Sequence, residues 1–370
     1  MSRFTAAAGF RHDQPETTGV LLVQLGTPQA PEAGAVRRYL AEFLADPRVI
    51  EIPRAVWMPI LHGIILRTRP ARSAAKYASI WTDEGSPLAV HSRRQAALLG
   101  GYLGEAGHRV SVALAMRYGE PSVGSVLREL RERNLTRLLV LPLYPQYAGS
   151  SAGTALDAVM REIAGWRNPP ELRTIKHFHD DPGYIAALAE RVRAHWRTEG
   201  QPAQLLMSFH GVPESTLLQG DPYHCECLVT ARLLAQALDL PRDRWRVSFQ
   251  SRLGRARWLQ PYTEATLREL GRQGTERLDV LCPGFVADCL ETLEEIAIEG
   301  KATYEEAGGR GFSYIPCLND SPAFIHGLAG LVGRHLQGWP TARLDAQAQA
   351  ALDTQLAQRL ERARAAGAAR

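Results

Sequence analysis

Two segments of this 370-residue chain carry side chains that could move protons and bind a metal cation. The first places His210 directly after an apolar run, Leu205 to Phe209, which the pattern predicts as a buried strand. The second, Asp288 to Glu295, follows the apolar run Leu278 to Leu281 and is rich in carboxylates. Parallel sheets bind ligands at the carboxyl ends of their strands. The sequence therefore predicts a site that couples proton transfer to the handling of a metal cation.

His210 has two interpretations. A lone histidine after a strand is usually a turn residue whose hydrogen bonds are satisfied. Here Gly211 and Pro213 predict a sharp turn that presents the imidazole outward from the sheet edge. Because histidine changes its protonation near neutral pH, it could accept a proton and pass it on. The residues alone leave both interpretations open.

The carboxylates of the second segment also have a structural interpretation. Asp288 and Glu291 have the spacing of a capping box, with Asp288 at the N-cap of a helix. However, four carboxylates step by three or four residues and are expected to share one helical face: Asp288, Glu291, Glu295 and Glu299. Like charges on one face repel, so the row needs solvent or cations and would suit a divalent metal entering a cleft. Capping alone would not require Glu295 and Glu299.

The five cysteines are an odd number without framework spacing, which indicates a reducing compartment. Cys225 and Cys227 invite a metal-site interpretation, but their spacing is poor for tetrahedral zinc and no second pair follows at a suitable distance. Cys282 and Cys289 are interpreted as small buried residues. A metal site around Cys225 and Cys227 is left open without being favoured.

Composition and charge limit the class of protein. Apolar residues make up 45% and charged residues 22%, as in an ordinary globular protein, and the net charge of +4 is too small to predict a nucleic-acid partner. Residues 1–18 are polar and lack a signal-peptide core. The longest apolar stretch, Trp57 to Leu66, is too short to span a bilayer. We expect a cytoplasmic protein, soluble or peripheral on a membrane.

That apolar stretch, hereafter the lip, is followed at once by basic residues: Arg67, Arg69, Arg72 and Lys76. One interpretation is a hydrophobic edge over a flat apolar ligand, with cations for the carboxylates of that ligand or for anionic lipid head groups. The other is an amphipathic helix packed on its own domain, which the pattern alone favours. Pro59 and Gly63 are helix-breaking residues and favour an irregular, partly exposed segment.

Strand-like runs alternate with longer helical patterns, which predicts an α/β fold with parallel sheets. The two halves of the chain resemble each other: Leu21–Pro28 matches Leu206–Pro213, and Val140–Tyr144 matches Val280–Phe285. Two similar Rossmann-like, doubly wound domains facing a shared active-site cleft are the simplest architecture consistent with this repeat. The first-half counterpart of His210 is Leu25, so we expect the proton chemistry in the second half.

The predicted strands are Val20 to Leu25, Val110 to Leu114, Leu138 to Leu143, Leu205 to Phe209, Arg246 to Phe249, Leu278 to Leu281 and Phe312 to Ile315. The predicted domains are an N-terminal extension over 1–18, a first Rossmann-like domain over 19–175 with the lip region at about 53–90, a second over 176–338, and a C-terminal tail over 339–370, expected as a surface helix or a frayed end.

From about Gly19 to Val332 the chain resembles the ferrochelatases, which insert ferrous iron into a porphyrin to complete haem. The similarity is strongest to the members from Gram-negative bacteria. It is carried, in order, by Gln24-Leu25-Gly26-Thr27-Pro28, Ser86-Pro87-Leu88, Arg117-Tyr118-Gly119, Pro142-Leu143-Tyr144-Pro145-Gln146-Tyr147, Ser208-Phe209-His210-Gly211, Phe249-Gln250-Ser251-Arg252, Trp258-Leu259, Cys282-Pro283-Gly284-Phe285 and Glu291-Thr292-Leu293.

The resemblance implies a lyase that inserts Fe²⁺, as a substrate, into protoporphyrin IX held between the two domains, without an obligatory cofactor. It implies His210 as the catalytic base and Glu291 as the acidic partner across the ring. Asp288, Glu295 and Glu299 would join these two in handling the metal, on a helix with a π-type widening. The porphyrin-binding residues that it implies are Arg117, Tyr118, Tyr144, Ser251 and Trp258.

The chain also departs from the family pattern. Cys289 stands where many relatives have a histidine, which removes a second imidazole near the ring. Members of the animal type bind an iron–sulfur cluster through a loop cysteine and three C-terminal cysteines. Here the loop position is Gly149 and no cysteine follows Cys317, so we expect no such cluster.

Contact with the inner membrane or with an upstream haem-pathway enzyme is a further expectation from the resemblance. Two rival functions stay open: a chelatase for a tetrapyrrole precursor of sirohaem or cobalamin, and a porphyrin carrier without activity.

Overall fold

Two parallel four-stranded sheets organise the protein. The computed structural model describes residues 4–7, 9–252, 254 and 256–368. The strands are β1 (Thr17–Gln24), β2 (Ser111–Met116), β3 (Leu135–Pro142), β4 (Glu171–Thr174), β5 (Gln204–His210), β6 (Trp245–Gln250), β7 (Leu278–Leu281) and β8 (Phe312–Ile315). Their order is β2-β1-β3-β4 in one sheet and β6-β5-β7-β8 in the other. The identical order confirms the predicted pair of Rossmann-like halves.

Helices lie between successive strands of each sheet. They are α1 (Ala33–Leu44), α2 (Arg54–Ile60), α3 (Leu66–Ile80), α4 (Pro87–Glu105), α5 (Val123–Glu132), α6 (Thr154–Ile163), α7 (Pro182–Glu199), α8 (Glu214–Leu218), α9 (Tyr223–Ala237), α10 (Thr263–Arg272), α11 (Leu290–Thr292), α12 (Lys301–Glu306), α13 (Pro322–His335) and α14 (Ala346–Ala365). Leu61–Ile65, Gly149–Gly153 and Leu293–Gly300 are π-helical, and Arg242–Arg244 is a 3₁₀ turn. None of the described helices is long and apolar enough to cross a membrane.

The seven predicted strands are all present, within a few residues of their predicted ends. The sequence missed β4, since its four residues are only half-buried at an outer position of the sheet. The central strands were readable because parallel strands covered on both faces are continuously apolar. Val20 to Val23 in β1, for example, are fully buried.

The lip is helical, which corrects the expectation of an irregular segment. The chain continues from α2 through the π-turn Leu61–Ile65 into α3. Pro59 is tolerated near the end of α2, and Gly63 lies in the wider π-turn. The partly exposed character was expected: α2 has no buried residue, and it is held to α1 by the Trp57 indole N–H, which donates to the Leu44 carbonyl at 2.6 Å.

One continuous core joins the two halves. It includes β1 side chains such as Leu22 and β5 side chains such as Met207. The helix α13 packs on both α4 and α7, and the Gln95 amide of α4 donates to the Asn319 carbonyl at 2.8 Å. The domain limits at 175 and 338 therefore stay a prediction. In the predicted tail, α14 has no buried residue and is a surface helix, as expected.

Glycine ends the central strand region of both sheets for the same steric reason. Gly26 has a φ of +107°, and a Cβ there would lie 1.8 Å from the Tyr118 carbonyl oxygen. A Cβ on Gly211 would lie 2.7 Å from the Gln250 carbonyl oxygen. The close approach of the neighbouring strand's backbone is what the repeated strand–glycine motif provides.

We expect Gly26→Ala to lower the free energy of unfolding by about 2 kcal/mol or more, because the backbone must move and the residue stays at positive φ. Gly101→Ala is the matched control: Gly101 lies in α4 with open space around its Cβ position, and the change should stabilise by up to about 1 kcal/mol. Urea unfolding of both variants measures the difference. Equal effects of the two substitutions would contradict the steric argument.

Candidate active site

His210 is the last residue of β5, at the carboxyl edge of the second sheet. Its Nδ1 lies 2.6 Å from the Gly211 carbonyl oxygen, which can only accept, so Nδ1 carries the proton. In the neutral ring Nε2 then holds a free lone pair, and Nε2 has no hydrogen-bond partner among the described residues. The rings of Trp258 and Phe285 flank the imidazole at centroid distances of 6.5 and 6.3 Å. The half-buried imidazole is therefore arranged to accept a proton at Nε2.

Gln250 joins the strand that ends at His210 to the acidic segment. It is the register partner of His210 on β6, and its side chain is buried. Its amide N–H donates to the Glu291 carbonyl oxygen at 2.7 Å, while its Oε1 accepts from the Ser208 hydroxyl at 2.7 Å. Its own carbonyl accepts the Gly211 N–H at 2.7 Å. One buried amide thus fixes the start of the acidic segment against β5 and β6.

Glu295 lies next to Gln250. Its carboxylate accepts from the Ser251 N–H at 2.7 Å and from the Ser251 hydroxyl at 2.5 Å. Burial raises the pKa of Glu295, while the Ser251 hydroxyl and the charge of His210 act to lower it and the charge of Glu291 raises it further. Ser251 holds a φ of +65°, which turns its backbone N–H towards the carboxylate. His210, Glu291 and Glu295 are therefore within electrostatic reach of one another.

Glu291 faces the first half of the chain. Burial raises the pKa values of Tyr39 and Tyr77, and the Glu291 charge contributes to both shifts. Leu290, its neighbour, packs with Val36 and Tyr77. The side chain of Glu291 consequently lies near the place where α1 and α3 meet the acidic segment.

Asp288 does not cap the helix, which corrects the capping-box prediction. The helix α11 begins at Leu290, its N-cap is Cys289, and the reciprocal bonds run between Cys289 and Thr292. Asp288 is buried and accepts from the Tyr314 hydroxyl at 2.6 Å and from the Asn319 amide at 2.6 Å. Its carboxylate therefore anchors the segment to the end of β8 rather than standing on the helical face.

The acidic helix has the π-type widening that the resemblance implies, over Leu293–Gly300. In such a turn, residues five apart come together. Lys76 on α3 accordingly reaches both Glu294 at 2.9 Å and Glu299 at 2.8 Å. Glu299 is thus paired with the basic segment that follows the lip and lies on the outer side, whereas Glu295 points to Ser251. The predicted metal ligands form a dispersed track, and among the described residues no three of them converge within 4.8 Å.

Two of the predicted porphyrin contacts in the first half, Arg117 and Tyr118, are held by the buried carboxylate of Asp46. Asp46 forms an ion pair with the Arg117 guanidinium and accepts from the Tyr118 hydroxyl at 2.9 Å. Arg117 also donates to the Thr154 hydroxyl at 2.7 Å. Tyr118 is fully buried, with the Arg117 guanidinium 4.4 Å from its ring centroid, and burial raises the pKa of its phenol. Arg117 and Tyr118 are thus held in fixed positions, and Tyr118 has almost no exposed surface that a ligand could contact.

Tyr144 and Trp258 each retain an unsatisfied buried atom. The Tyr144 hydroxyl and the Trp258 indole nitrogen have no hydrogen-bond partner among the described residues. Buried donors without a partner are costly and commonly mark places where a ligand or water binds. Both side chains are only half-buried overall. Among the predicted porphyrin contacts, Tyr144 and Trp258 are therefore the residues with a polar atom available to bind a ligand.

Three residues of the site were not singled out from the sequence: Gln250, Lys76 and Asp46. Gln250 was named only as part of the motif at the end of β6. A polar residue that ends a buried strand is itself an indication of a binding site at that edge of the sheet. Lys76 was taken as part of a basic run. Asp46 belongs to no motif, and its partners come from the loop that follows β2 and from the start of α6. Cys282 and Cys289 are buried free thiols, as predicted, and burial raises their pKa values.

Comparison with known proteins decides the family. The family model described as Ferrochelatase matches residues 17–336. The chain belongs to the ferrochelatase family. It is 59% identical to the ferrochelatase of Chromobacterium violaceum over 95% of this chain and 97% of that one. It is 57% identical to the ferrochelatase of Polaromonas sp. over 99% and 100% of the two chains. The resemblance seen in the motifs is confirmed, and with it the class of metal-chelating lyases.

Solved structures share the fold at low identity. SirB from Bacillus subtilis with Fe³⁺ superposes with a TM-score of 0.52 at 13% identity, over 86% of this chain and 95% of that chain. The sirohydrochlorin chelatase SirB from Bacillus subtilis subspecies spizizenii, in complex with cobalt, gives 0.51 at 11% identity, over 89% and 100%. Both have the same α/β architecture.

The raised pKa of Glu295 predicts a pH-dependent stability difference. A carboxyl whose pKa is raised in the folded state stabilises that state below the unfolded pKa, and this contribution is lost as pH rises through the folded pKa. Relative to Glu295→Gln, the parent protein should therefore lose free energy of unfolding as pH rises above about 4, the range in which an unfolded glutamate ionises. Urea unfolding across this range measures it. Glu306→Gln, which removes an exposed carboxyl, should track the parent. A parent that gains stability relative to Glu295→Gln would contradict the assignment.

Proposed function

We propose that this protein inserts Fe²⁺ into protoporphyrin IX to form protohaem, the last step of haem synthesis. Membership of the ferrochelatase family supports metal insertion into a porphyrin. The observation that carries the mechanism is the hydrogen bond from His210 Nδ1 to the Gly211 carbonyl, because it leaves Nε2 as a base. Fe²⁺ is a substrate, and the reaction needs no further cofactor.

Proton removal and metal entry must be coupled. A planar porphyrin keeps its two pyrrole N–H protons and the nitrogen lone pairs within the ring plane, closed to a metal from either face. Binding the ring in a distorted form exposes the lone pairs, and the strain is offset by contacts at the periphery of the ring. Each pyrrole proton then leaves as the nitrogen binds the metal. We propose that Nε2 of His210 accepts the protons and transfers them to solvent or to Glu295.

The carboxylates supply the charge for the metal. We propose that Glu291 acts as the acidic partner of His210 across the ring; its negative charge acts on Tyr39 and Tyr77 of the first half. Oxygen ligands bind Fe²⁺ loosely enough for transfer to four porphyrin nitrogens. Glu295 and Glu299 extend this charge outward along the π-turn, and we propose that Asp288 orients the segment through its bonds to Tyr314 and Asn319 rather than by binding metal. Tyr144, Trp258, Ser251 and Arg117 are the proposed porphyrin contacts.

Two other functions are tested by the same experiment. A chelatase for a sirohaem or cobalamin precursor would share the fold, but the lip is an unexpected feature for such an enzyme. A porphyrin carrier would need no base, so it would bind protoporphyrin without inserting metal whatever residue occupies position 210.

His210→Ala should lower the rate of anaerobic Fe²⁺ insertion into protoporphyrin IX by about 100-fold or more, because general-base catalysis contributes that much. Glu291→Gln should lower it as well, with porphyrin binding retained in both. Loss of the free-base porphyrin spectrum measures insertion, and fluorescence quenching measures binding. His326→Ala, which removes an exposed imidazole on α13, is the control and should react as the parent does.

The outcomes separate the three functions. Tight protoporphyrin binding without insertion by the parent protein would contradict the proposal and favour a carrier. Insertion into a sirohaem precursor but not into protoporphyrin would favour the second chelatase.

We further propose that the lip gives the protein peripheral contact with a membrane. Ile64 in the lip and Val56, which directly precedes the lip, are 57% and 55% exposed. The exposed side chains of Arg67, Arg69 and Arg72 follow on α3. An apolar edge flanked by cations is the pattern of interfacial helices on anionic lipid. A porphyrin dissolved in the bilayer could then reach the cleft without crossing water.

Vesicles test the contact. Val56→Ser with Ile64→Ser should reduce sedimentation with anionic vesicles several-fold, because apolar burial and charge both contribute to binding. Leu218→Ser, which removes an apolar side chain that is 81% exposed elsewhere on the surface, is the matched control. Equal sedimentation of all three proteins, or none by the parent, would exclude the lip as a membrane contact.

A further inference from the structure

Two histidines and a glutamate that the proposed reaction does not use lie together beside α9. His177 and His179 are in the connection from β4 to α7, and Glu226 is in the first turn of α9. One ligand atom from each lies within 4.8 Å of the others. His177 Nδ1 is 2.6 Å from one carboxylate oxygen of Glu226, and His179 Nδ1 is 3.5 Å from the other. Imidazole and carboxylate are the side chains that bind Zn²⁺ and related divalent ions.

One nitrogen of this cluster has no partner within the described part of the protein. His179 is 8% exposed, and its buried Nδ1 has no hydrogen-bond partner among the described residues. The Glu226 carboxylate, 5% exposed, is likewise removed from water. A buried nitrogen without a partner is costly, and it is aimed at a buried carboxylate too far away to bond.

Neighbouring groups hold the Glu226 carboxylate and the backbone at His179 in place. The Tyr147 N–H donates to Glu226 Oε2 at 2.7 Å. The Thr230 hydroxyl donates to the His179 carbonyl at 2.8 Å and accepts from the Gln146 amide at 2.9 Å. Hydrogen bonds of this kind orient metal ligands and are a regular part of metal sites. The nearby cation Lys176 lies 4.7 Å from the centroid of the Tyr147 ring.

We propose that His177, His179 and Glu226 bind one divalent transition-metal ion of the zinc type, at a site separate from the one where iron enters the porphyrin. Two ligand atoms bound to one ion at about 2.0–2.2 Å in tetrahedral geometry lie roughly 3.3–3.6 Å apart. His179 Nδ1 and its carboxylate oxygen, at 3.5 Å, already have this separation, whereas His177 Nδ1 and its carboxylate oxygen, at 2.6 Å, must move slightly apart. Three protein ligands leave a position for water. The site joins the loop that contains Tyr147 to α9, so occupancy would fix this loop. The inference does not depend on the proposed reaction.

The cysteines next to Glu226 do not belong to this site. Cys225 and Cys227 are two residues apart on α9, and residues at that spacing do not face each other on a helix. Cys225 is exposed, whereas Cys227 is fully buried in the core. In the segment from His224 to Cys227, the proposed metal ligand is therefore Glu226 and not either of the two cysteines.

Zinc binding by the full-length protein tests the site. Metal-free protein is titrated with Zn²⁺ against a chromophoric chelator, and X-ray absorption of the loaded protein reports the ligands. We expect His177→Ala, His179→Ala and Glu226→Gln each to weaken one Zn²⁺ site by about 100-fold or more. His224→Ala and Cys225→Ser are the matched controls, and both should bind as the parent does.

Thermal unfolding of each variant serves as the control that the variant is folded. His179→Gln and Glu226→Gln are included because they remove the metal ligand while keeping a side chain of similar size. The expected absorption spectrum has nitrogen and oxygen neighbours at about 2.0–2.2 Å and no sulfur at about 2.3 Å. Equal Zn²⁺ binding by the parent and the three ligand variants would overturn the proposal. A sulfur shell that disappears in Cys225→Ser would overturn it too, and would assign the metal to the thiol.

Discussion

The buried amide of Gln250 is the constraint on which the site depends. An amide in the interior must satisfy its donors and acceptor, and Gln250 does so by bonding Ser208 on β5, Glu291 at the start of the acidic segment and, at 3.4 Å, Glu295. Because Gln250 is also the register partner of His210, the same strand pair sets the position of His210 and of the carboxylates Glu291 and Glu295. A charged row that would otherwise repel itself is thereby held against the sheet edge.

The two halves of the chain share one hydrophobic core but contribute different residues to the candidate site. In the first half, Asp46 holds Arg117 and Tyr118 in place. The first half also supplies the helices α1 and α3, which pack against the acidic segment. The second supplies His210, Glu291 and Glu295. Lys76 joins the halves by pairing with Glu294 and Glu299, at a spacing that only a π-turn brings to one point. The lip precedes this lysine on the same helical run, so the lip and the acidic segment are joined by one continuous helix and its ion pairs.

Much of this was readable from the sequence because buried parallel strands are apolar throughout, and because the motifs after them fall at one edge of each sheet. The strand β4 escaped because it is short and half-buried. The capping box was wrong because Cys289 and Thr292 have the same spacing as Asp288 and Glu291, and only the fold decides between them. The roles of Gln250, Asp46 and the pair His177–His179 depend on partners 41 or more residues away, which local patterns do not report.

The proposed proton transfer requires that the neutral His210 ring carry its proton on Nδ1 and keep Nε2 free to accept a pyrrole proton. Long-range ¹H–¹⁵N correlation spectra of histidine-labelled protein measure the tautomer directly, with His210→Ala to assign the signal. We expect a protonated Nδ1 and an unprotonated Nε2 in the neutral ring. A neutral His210 protonated at Nε2 would contradict the proposed transfer, since no lone pair would then be available on that side for a pyrrole proton.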